Sequence, residues 1–181
     1  MLFADVKGFS KLTDEQLPRF TEHVLGALAG VLDRHADDIC YCNTWGDALY
    51  IVLADPVTAA ACALGLQDAM DAVDLDALGL PSHLALRLGA HTGPVFPVYD
   101  PVVRAPAFMG SHVSRTARIE PVTPPGTVYV TEPFAAALML QNSQFRYDYV
   151  GHIPGAKDYG RLRMYRLRRT RGPSRTHHLA N

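Results

Sequence analysis

Two aspartates in separate turn-rich settings are the residues best placed for chemistry. Asp5 ends the apolar run Leu2-Phe3-Ala4-Asp5-Val6 and is followed by Lys7-Gly8-Phe9-Ser10, a glycine turn that opens a helix. Asp47 closes Asn43-Thr44-Trp45-Gly46-Asp47, just before the strand-like Ala48-Leu49-Tyr50-Ile51-Val52-Leu53. A carboxylate at a strand end and another at a hairpin bend are placed to share hard cations such as Mn²⁺ or Mg²⁺. The N–H groups of Gly8, Phe9 and Ser10 at a helix start would make an anion site beside Asp5. A carboxylate next to an anion is repulsive unless cations lie between them. The pattern therefore points to phosphate chemistry, against the plainer reading of Asp5 as a turn cap.

Further along, Ser114 and Arg118 stand four residues apart in Val113-Ser114-Arg115-Thr116-Ala117-Arg118. On a helix they would share a face. A fixed arginine suits charge developing on a transferring phosphoryl group, although surface ion pairing is the ordinary fate of such a residue. Lys157, in the loop Gly155-Ala156-Lys157, and Lys11 are weaker phosphate candidates. His91-Thr92-Gly93 ends a strand, and its histidine reads most simply as a neutral strand cap.

The elements that must position these groups can be read from periodicity. A strand is expected over 2–6. A helix comes next, with Ser10 and Thr13 as start residues and Leu17, Phe20, Val24, Leu25, Leu28, Val31 and Leu32 at helical spacing. Strands near 38–43 and 47–54 read as a hairpin, and Asp55-Pro56 starts an alanine-rich helix to about residue 73. A loop over 74–82 leads to a strand over 83–91, where Leu84, Leu86 and Leu88 alternate. A Pro-rich stretch (Pro94, Pro97, Pro101, Pro106) reads as a long arm or irregular loop. Then come a short helix around 110–119, a strand at 127–131, a helix from about 132, and closing strands near 145–150 and 161–167. The order predicts an α+β fold with a ferredoxin-like split βαβ core and extra C-terminal strands and helices.

With 181 residues, 48% of them hydrophobic and 19% charged, the chain reads as one globular domain. A formal net charge of -1 argues against a general nucleic-acid binder, although seven arginines fall between Arg161 and Arg175. No apolar run reaches the length of a membrane span, and no leader pattern opens the chain. Cys40, Cys42 and Cys62 read as small buried hydrophobes in a reducing compartment, which gives a cytoplasmic expectation. From Thr170 on, the composition suggests a disordered tail.

These residues resemble the class III nucleotidyl cyclases, the adenylyl and guanylyl cyclase family. Phe3 to Ser10 is similar to that family's first metal motif, and Gly46-Asp47 to its second. Leu88-Gly89-Ala90-His91-Thr92-Gly93 matches a strand-ending signature, and Val113 to Arg118 the segment carrying a transition-state pair. The resemblance implies a catalytic domain over 1–169, a tail over 170–181, and a homodimer with active sites at the interface. It implies that Asp5, Asp47 and the Val6 carbonyl hold two divalent cations. It also implies that Arg118 and Ser114 act from the opposite subunit, while Gly8, Phe9, Ser10 and Lys157 hold the triphosphate.

The base-reading positions depart from the family. Asn43 stands where cyclic-AMP-forming members carry lysine, Ala107 where they carry aspartate or threonine, and Ser114 where an asparagine is usual. Both cation ligands and Arg118 are retained, so the losses fall mainly on base recognition, while Ser114, shorter than the usual asparagine, bears on the hold of the ribose. The pattern resembles the stand-alone bacterial pyrimidine cyclases of the Pycsar antiphage systems. That likeness implies UTP or CTP as substrate, with UTP favoured, and a separate cyclic-nucleotide-binding effector acted on by the product. Tyr50 would narrow the base pocket and Asn43 would pair with a pyrimidine edge. A purine cyclase and a non-catalytic nucleotide-binding or dimerisation module stand as alternatives.

Overall fold

Alternation along the first strand sets the two sides of the molecule. In β1 (Leu2–Lys7), Leu2, Ala4 and Val6 are buried while Phe3 and Asp5 are only partly so. The computed structural model describes residues 1–141, 144–157 and 159–170. The long helical segment after β1 is assembled from α1 (Leu17–Arg19), a π-wound stretch over Phe20–Leu25 and α2 (Gly26–Asp33). It begins later than Ser10. Gly8, itself at φ 96°, leads into a single 3-10 turn over Phe9–Lys11.

Strands β2 (Ile39–Trp45) and β3 (Ala48–Leu53) form the expected hairpin, with Trp45 paired to Ala48 across the two-residue turn Gly46-Asp47. Gly46 has φ 63°, the left-handed geometry required at the first position of such a turn. Helix α3 (Pro56–Asp71) starts where Asp55 accepts the N–H groups of Val57 and Thr58 at 2.8 and 3.0 Å. Its face of Ala59, Ala60, Ala63, Leu66 and Met70 packs with Val24, Leu28 and Val31 on the buried side of the sheet. Strand β4 (Ala85–Ala90) contributes Leu86, Leu88 and Ala90 to that core.

The proline-rich stretch is an ordered two-stranded ribbon, β5 (Phe96–Asp100) antiparallel to β6 (Ala105–Met109). Prolines are tolerated because this ribbon stands apart from the main sheet and both strands are edges. The chain continues through α4 (Ser111–Thr116), β7 (Thr127–Thr131), α5 (Glu132–Gln141), β8 (Phe145–Pro154) and β9 (Arg161–Arg169). The closing strands run longer than their periodicity predicts. The main sheet has the order β2-β3-β1-β4-β7-β9-β8, antiparallel except for the β4–β7 pair. Its first four strands are the expected split βαβ core, and the rest are the C-terminal additions.

One further expectation changes and another falls outside the described residues. Cys62 is buried, but Cys40 and Cys42 are exposed because β2 is an outer strand of the sheet. The tail expected over 170–181 lies beyond Thr170 outside the described residues. Among the described residues no helix is long and apolar enough to cross a membrane.

One close approach matters for the site. A Cβ on Gly89 would stand 2.8 Å from the Glu120 backbone nitrogen and 2.9 Å from Ile119 Cβ. Gly89→Ala should therefore destabilise the fold by about 1–3 kcal/mol, the usual range for overpacking. Thermal melting followed by circular dichroism should read this as a loss of several degrees. An unchanged midpoint would mean that the turn carrying Glu120 yields freely.

Candidate active site

Asp5 and Asp47 are brought together as the sequence predicts. The hairpin turn folds back on the end of β1, where the Val6 N–H donates to Asp47 Oδ2 at 3.1 Å. Asp47 is pushed up to about 6 by partial burial, then by a hydrogen bond with Asp5 and its charge. Two carboxylates in contact in a half-buried site repel each other unless positive charge lies between them. That donor set fits divalent cations.

The sequence reading missed two members of this cluster. Antiparallel register puts Arg87 of β4 directly opposite Asp5 of β1. Its guanidinium donates to Asp5 Oδ2 through Nη2 at 2.6 Å and Nε at 3.2 Å. Arg87 Nε also stands 2.5 Å from Glu120 Oε1. That contact is an ion pair without hydrogen-bond alignment, and Glu120 Oε1 accepts no hydrogen bond among the described residues. Burial first, with Asp5 and Asp47 adding repulsion, pushes Glu120 up to about 7 although Arg87 opposes the shift. Burial works against the Arg87 charge as well, but Asp5 and Glu120 outweigh it and hold the guanidinium above its ordinary range. The available signal was a lone arginine inside the alternating Leu84, Leu86, Leu88 strand.

Among the described residues, no three or more His, Cys, Asp or Glu side chains are arranged to hold a metal ion. Asp5 and Asp47 would hold cations with remaining ligands from the Val6 carbonyl, water and substrate phosphate. The anion site expected beside them is reduced. Gly8, Phe9 and Ser10 open a three-residue 3-10 turn, too short for a helix dipole to accumulate, so only their individual N–H groups remain.

A second group lies on α4 and the β8–β9 loop. Ser114 is exposed and Arg118 partly buried, but α4 ends at Thr116 and the winding tightens, with the Arg118 N–H donating to the Arg115 carbonyl at 3.0 Å. The expected four-residue helical spacing thus breaks between them. Arg118 is instead tied to the loop of Lys157, because the Ala156 N–H donates to its carbonyl at 3.1 Å. Lys157 is exposed and takes a left-handed φ of 56°. Among the described residues no hydrogen bond or ion pair joins Ser114, Arg118 or Lys157 to Asp5 or Asp47.

The third group surrounds the open side of the hairpin. Asn43 and Tyr50 are cross-strand partners. The Asn43 side-chain oxygen accepts the Thr44 N–H at 2.9 Å. The Tyr50 ring stacks on Phe3 at 4.6 Å, and its hydroxyl donates to the Phe108 carbonyl at 3.1 Å. Burial, with Tyr41 adding to it, pushes that hydroxyl up to about 12. Ala107 precedes Phe108 on β6, so the ribbon places it beside the same cluster. A groove of about 390 Å³ opens between Phe3, Asn43, Trp45 and Tyr50.

His91 is structural, as its strand-capping position suggests. It is fully buried, with Nδ1 2.7 Å from Thr131 Oγ1 and Nε2 2.8 Å from His112 Nδ1. Burial, then the charges of His112 and Arg115, bring it down to about 3, so it stays neutral.

The chain shares its fold with solved cyclase structures. It superposes on the adenylyl cyclase CyaB from P. aeruginosa with a TM-score of 0.81, at 16% identity, covering 94% of this chain and 93% of that one. The guanylate cyclase domain of RhGC from Catenaria anguillulae, solved with GTP, gives 0.77 at 16% identity, covering 94% and 95%. The guanylyl cyclase Cya2 gives 0.77 at 19% identity, covering 96% and 93%. In sequence the chain is 30% identical over 179 residues to the pH-sensitive adenylate cyclase MT1302 of Mycobacterium tuberculosis (strain CDC 1551 / Oshkosh). That match covers 96% of this chain but 41% of the relative. Residues 1–169 match the adenylate and guanylate cyclase catalytic domain model, and the chain belongs to that family.

Proposed function

We propose that two copies of this chain convert a nucleoside triphosphate to its 3′,5′-cyclic nucleotide and pyrophosphate. The 3′-hydroxyl oxygen bonds to the α-phosphorus, the bond to the pyrophosphate oxygen breaks, and the hydroxyl proton is lost. The observation that carries this reading is the convergence of Asp5 and Asp47, with the Val6 N–H fixing the second carboxylate. Divalent cations held there would lower the pKa of the 3′-hydroxyl and neutralise phosphate charge. Asp5 and Asp47 serve as their anchors, the Val6 carbonyl as a further ligand. Arg118 of the opposite copy would meet charge developing on the α-phosphoryl oxygens, and Ser114 would orient the ribose. Lys157 and the N–H groups of Gly8, Phe9 and Ser10 would hold the outer phosphates.

The base is proposed to be a pyrimidine, UTP before CTP. Tyr50 supports this, since its stack on Phe3 and its bond to Phe108 make a bulky wall that cannot swing away for a two-ring base. Asn43 offers an amide that both donates and accepts, and Ala107 offers no purine-reading group. Production of cyclic AMP is a second reading, favoured by similarity to an adenylate cyclase. Incubation with equimolar ATP, GTP, CTP and UTP in Mn²⁺ buffer, with products read by mass spectrometry, decides between them. A cyclic UMP peak lost in Asp47→Ala is the expected result, and a purine product would overturn the base assignment alone. A separate cyclic-nucleotide-binding effector and a role in infection defence belong to the same proposal. Phage challenge of cells carrying wild type or Asp47→Ala tests that part.

A further inference from the structure

Arg87 occupies an oxygen that a cation would need. Its guanidinium is bonded to Asp5 Oδ2, on one of the two anchors of the proposed cation site. A cation arriving there meets a fixed positive charge and must share the Asp5 carboxylate with it. Arg87 cannot leave for water easily, because its side chain is only 27% exposed. The one other anion in contact with it among the described residues is Glu120, 13% exposed and 2.5 Å from Nε.

Besides its ion pair with Arg87, Glu120 is placed by its backbone. It begins a 3-10 turn, with the Thr123 N–H donating to its carbonyl at 2.9 Å. Gly89, lacking a side chain, lets that turn lie directly on β4. The carboxylate is therefore presented to Arg87 from a fixed support while making no hydrogen bond through Oε1.

We propose that Glu120 is a positioning residue that admits divalent cations to Asp5 by taking over the charge of Arg87. With Glu120 present, the guanidinium keeps a counter-ion when Asp5 turns to the cation. Without it, Arg87 holds Asp5 as its sole partner, and cation binding strands a partly buried positive charge beside another. Residues of this kind, one shell out from the ligands, commonly change metal affinity by about 10- to 100-fold. The inference rests on the cation reading of Asp5 and Asp47.

Mn²⁺ titration without nucleotide, followed by the electron paramagnetic resonance signal of the free ion, tests it apart from catalysis. Glu120→Gln keeps shape and removes charge, and it should weaken Mn²⁺ binding about tenfold or more. The same change made in Arg87→Met should have little effect, since no guanidinium then needs a counter-ion. Equal weakening in both backgrounds would mean that Glu120 attracts the cation directly, overturning the role through Arg87. Unchanged affinity in Glu120→Gln would overturn it too. Should Glu120→Gln fail to fold, Glu120→Ala in the same two backgrounds decides: weakening only where Arg87 is present supports the inference, and equal weakening in both, or none, overturns it. A wild type that binds no Mn²⁺ removes the cation reading and this inference with it.

Discussion

Arg118→Ala is expected to lower kcat by roughly 10³- to 10⁵-fold with little change in KM or melting temperature. The guanidinium makes no hydrogen bond or ion pair among the described residues, so its removal leaves no partner stranded. On the proposed reading, what is lost is an interaction made with the transition state. Asp47→Ala should be equally inactive for a different reason, because it removes a cation anchor. The decisive measurement is a mixture of the two dead variants. On the proposed shared-site reading, Arg118 and Asp47 of one site come from different subunits, so each mixed dimer would rebuild one site from two intact halves. Random pairing should then restore about a quarter of wild-type activity. A mixture that stays inactive would place both groups in the same subunit's site and defeat the shared-site reading.

Asp47→Asn should stabilise the cation-free protein while abolishing activity. The folded carboxyl sits at about 6, above its ordinary value of 3.8, because burial and Asp5 oppose its charge. A carboxyl raised in the folded state adds stability below its unfolded pKa and loses that stability as pH rises through its folded pKa. The loss therefore runs from about pH 4 to 6 for Asp47, and Glu120 extends it toward 7. Above that range ionised Asp47 is a cost. Discounted for a group that is only partly buried, the cost is roughly 1–2 kcal/mol. In chelator at pH 8, Asp47→Asn should melt roughly 2–8 °C above wild type, and at pH 4 the difference should vanish. Mn²⁺ should raise the wild-type midpoint and leave the variant unmoved. A variant less stable than wild type at pH 8 would show that the two carboxylates do not repel, undercutting the reason for cations between them.

The order of elements, the aspartate pair and the structural histidine were legible in the chain because each has a local signature. Alternating Leu2, Ala4 and Val6 give a half-buried strand, and Gly46-Asp47 gives a two-residue turn. The Asp55-Pro56 start of α3 was legible too, since its cap is built from neighbours in sequence. The same local reasoning failed at Gly8, where a helix start was expected and a single 3-10 turn formed. It also failed at the proline-rich stretch, which pairs with itself as β5 and β6 although each strand alone scores poorly. Cys40 and Cys42 gave no sign of lying on an outer strand, because edge position belongs to the sheet order.

The sequence by itself therefore determined the cast: acids at two turns, an arginine near a short helix, and a split βαβ order to carry them, although the helix ends before Arg118. The tertiary structure alone decided who stands beside whom. Arg87 lies 82 residues from Asp5, and antiparallel register makes them neighbours. Glu120 reaches that pair because Gly89 leaves room for its turn. Tyr50 is tied to the ribbon because Phe108, 58 residues away, receives its hydroxyl. Local periodicity reports which face of an element is apolar. Charge pairing across a sheet depends on register and on side-chain volume at the crossing point, which only the packed chain sets.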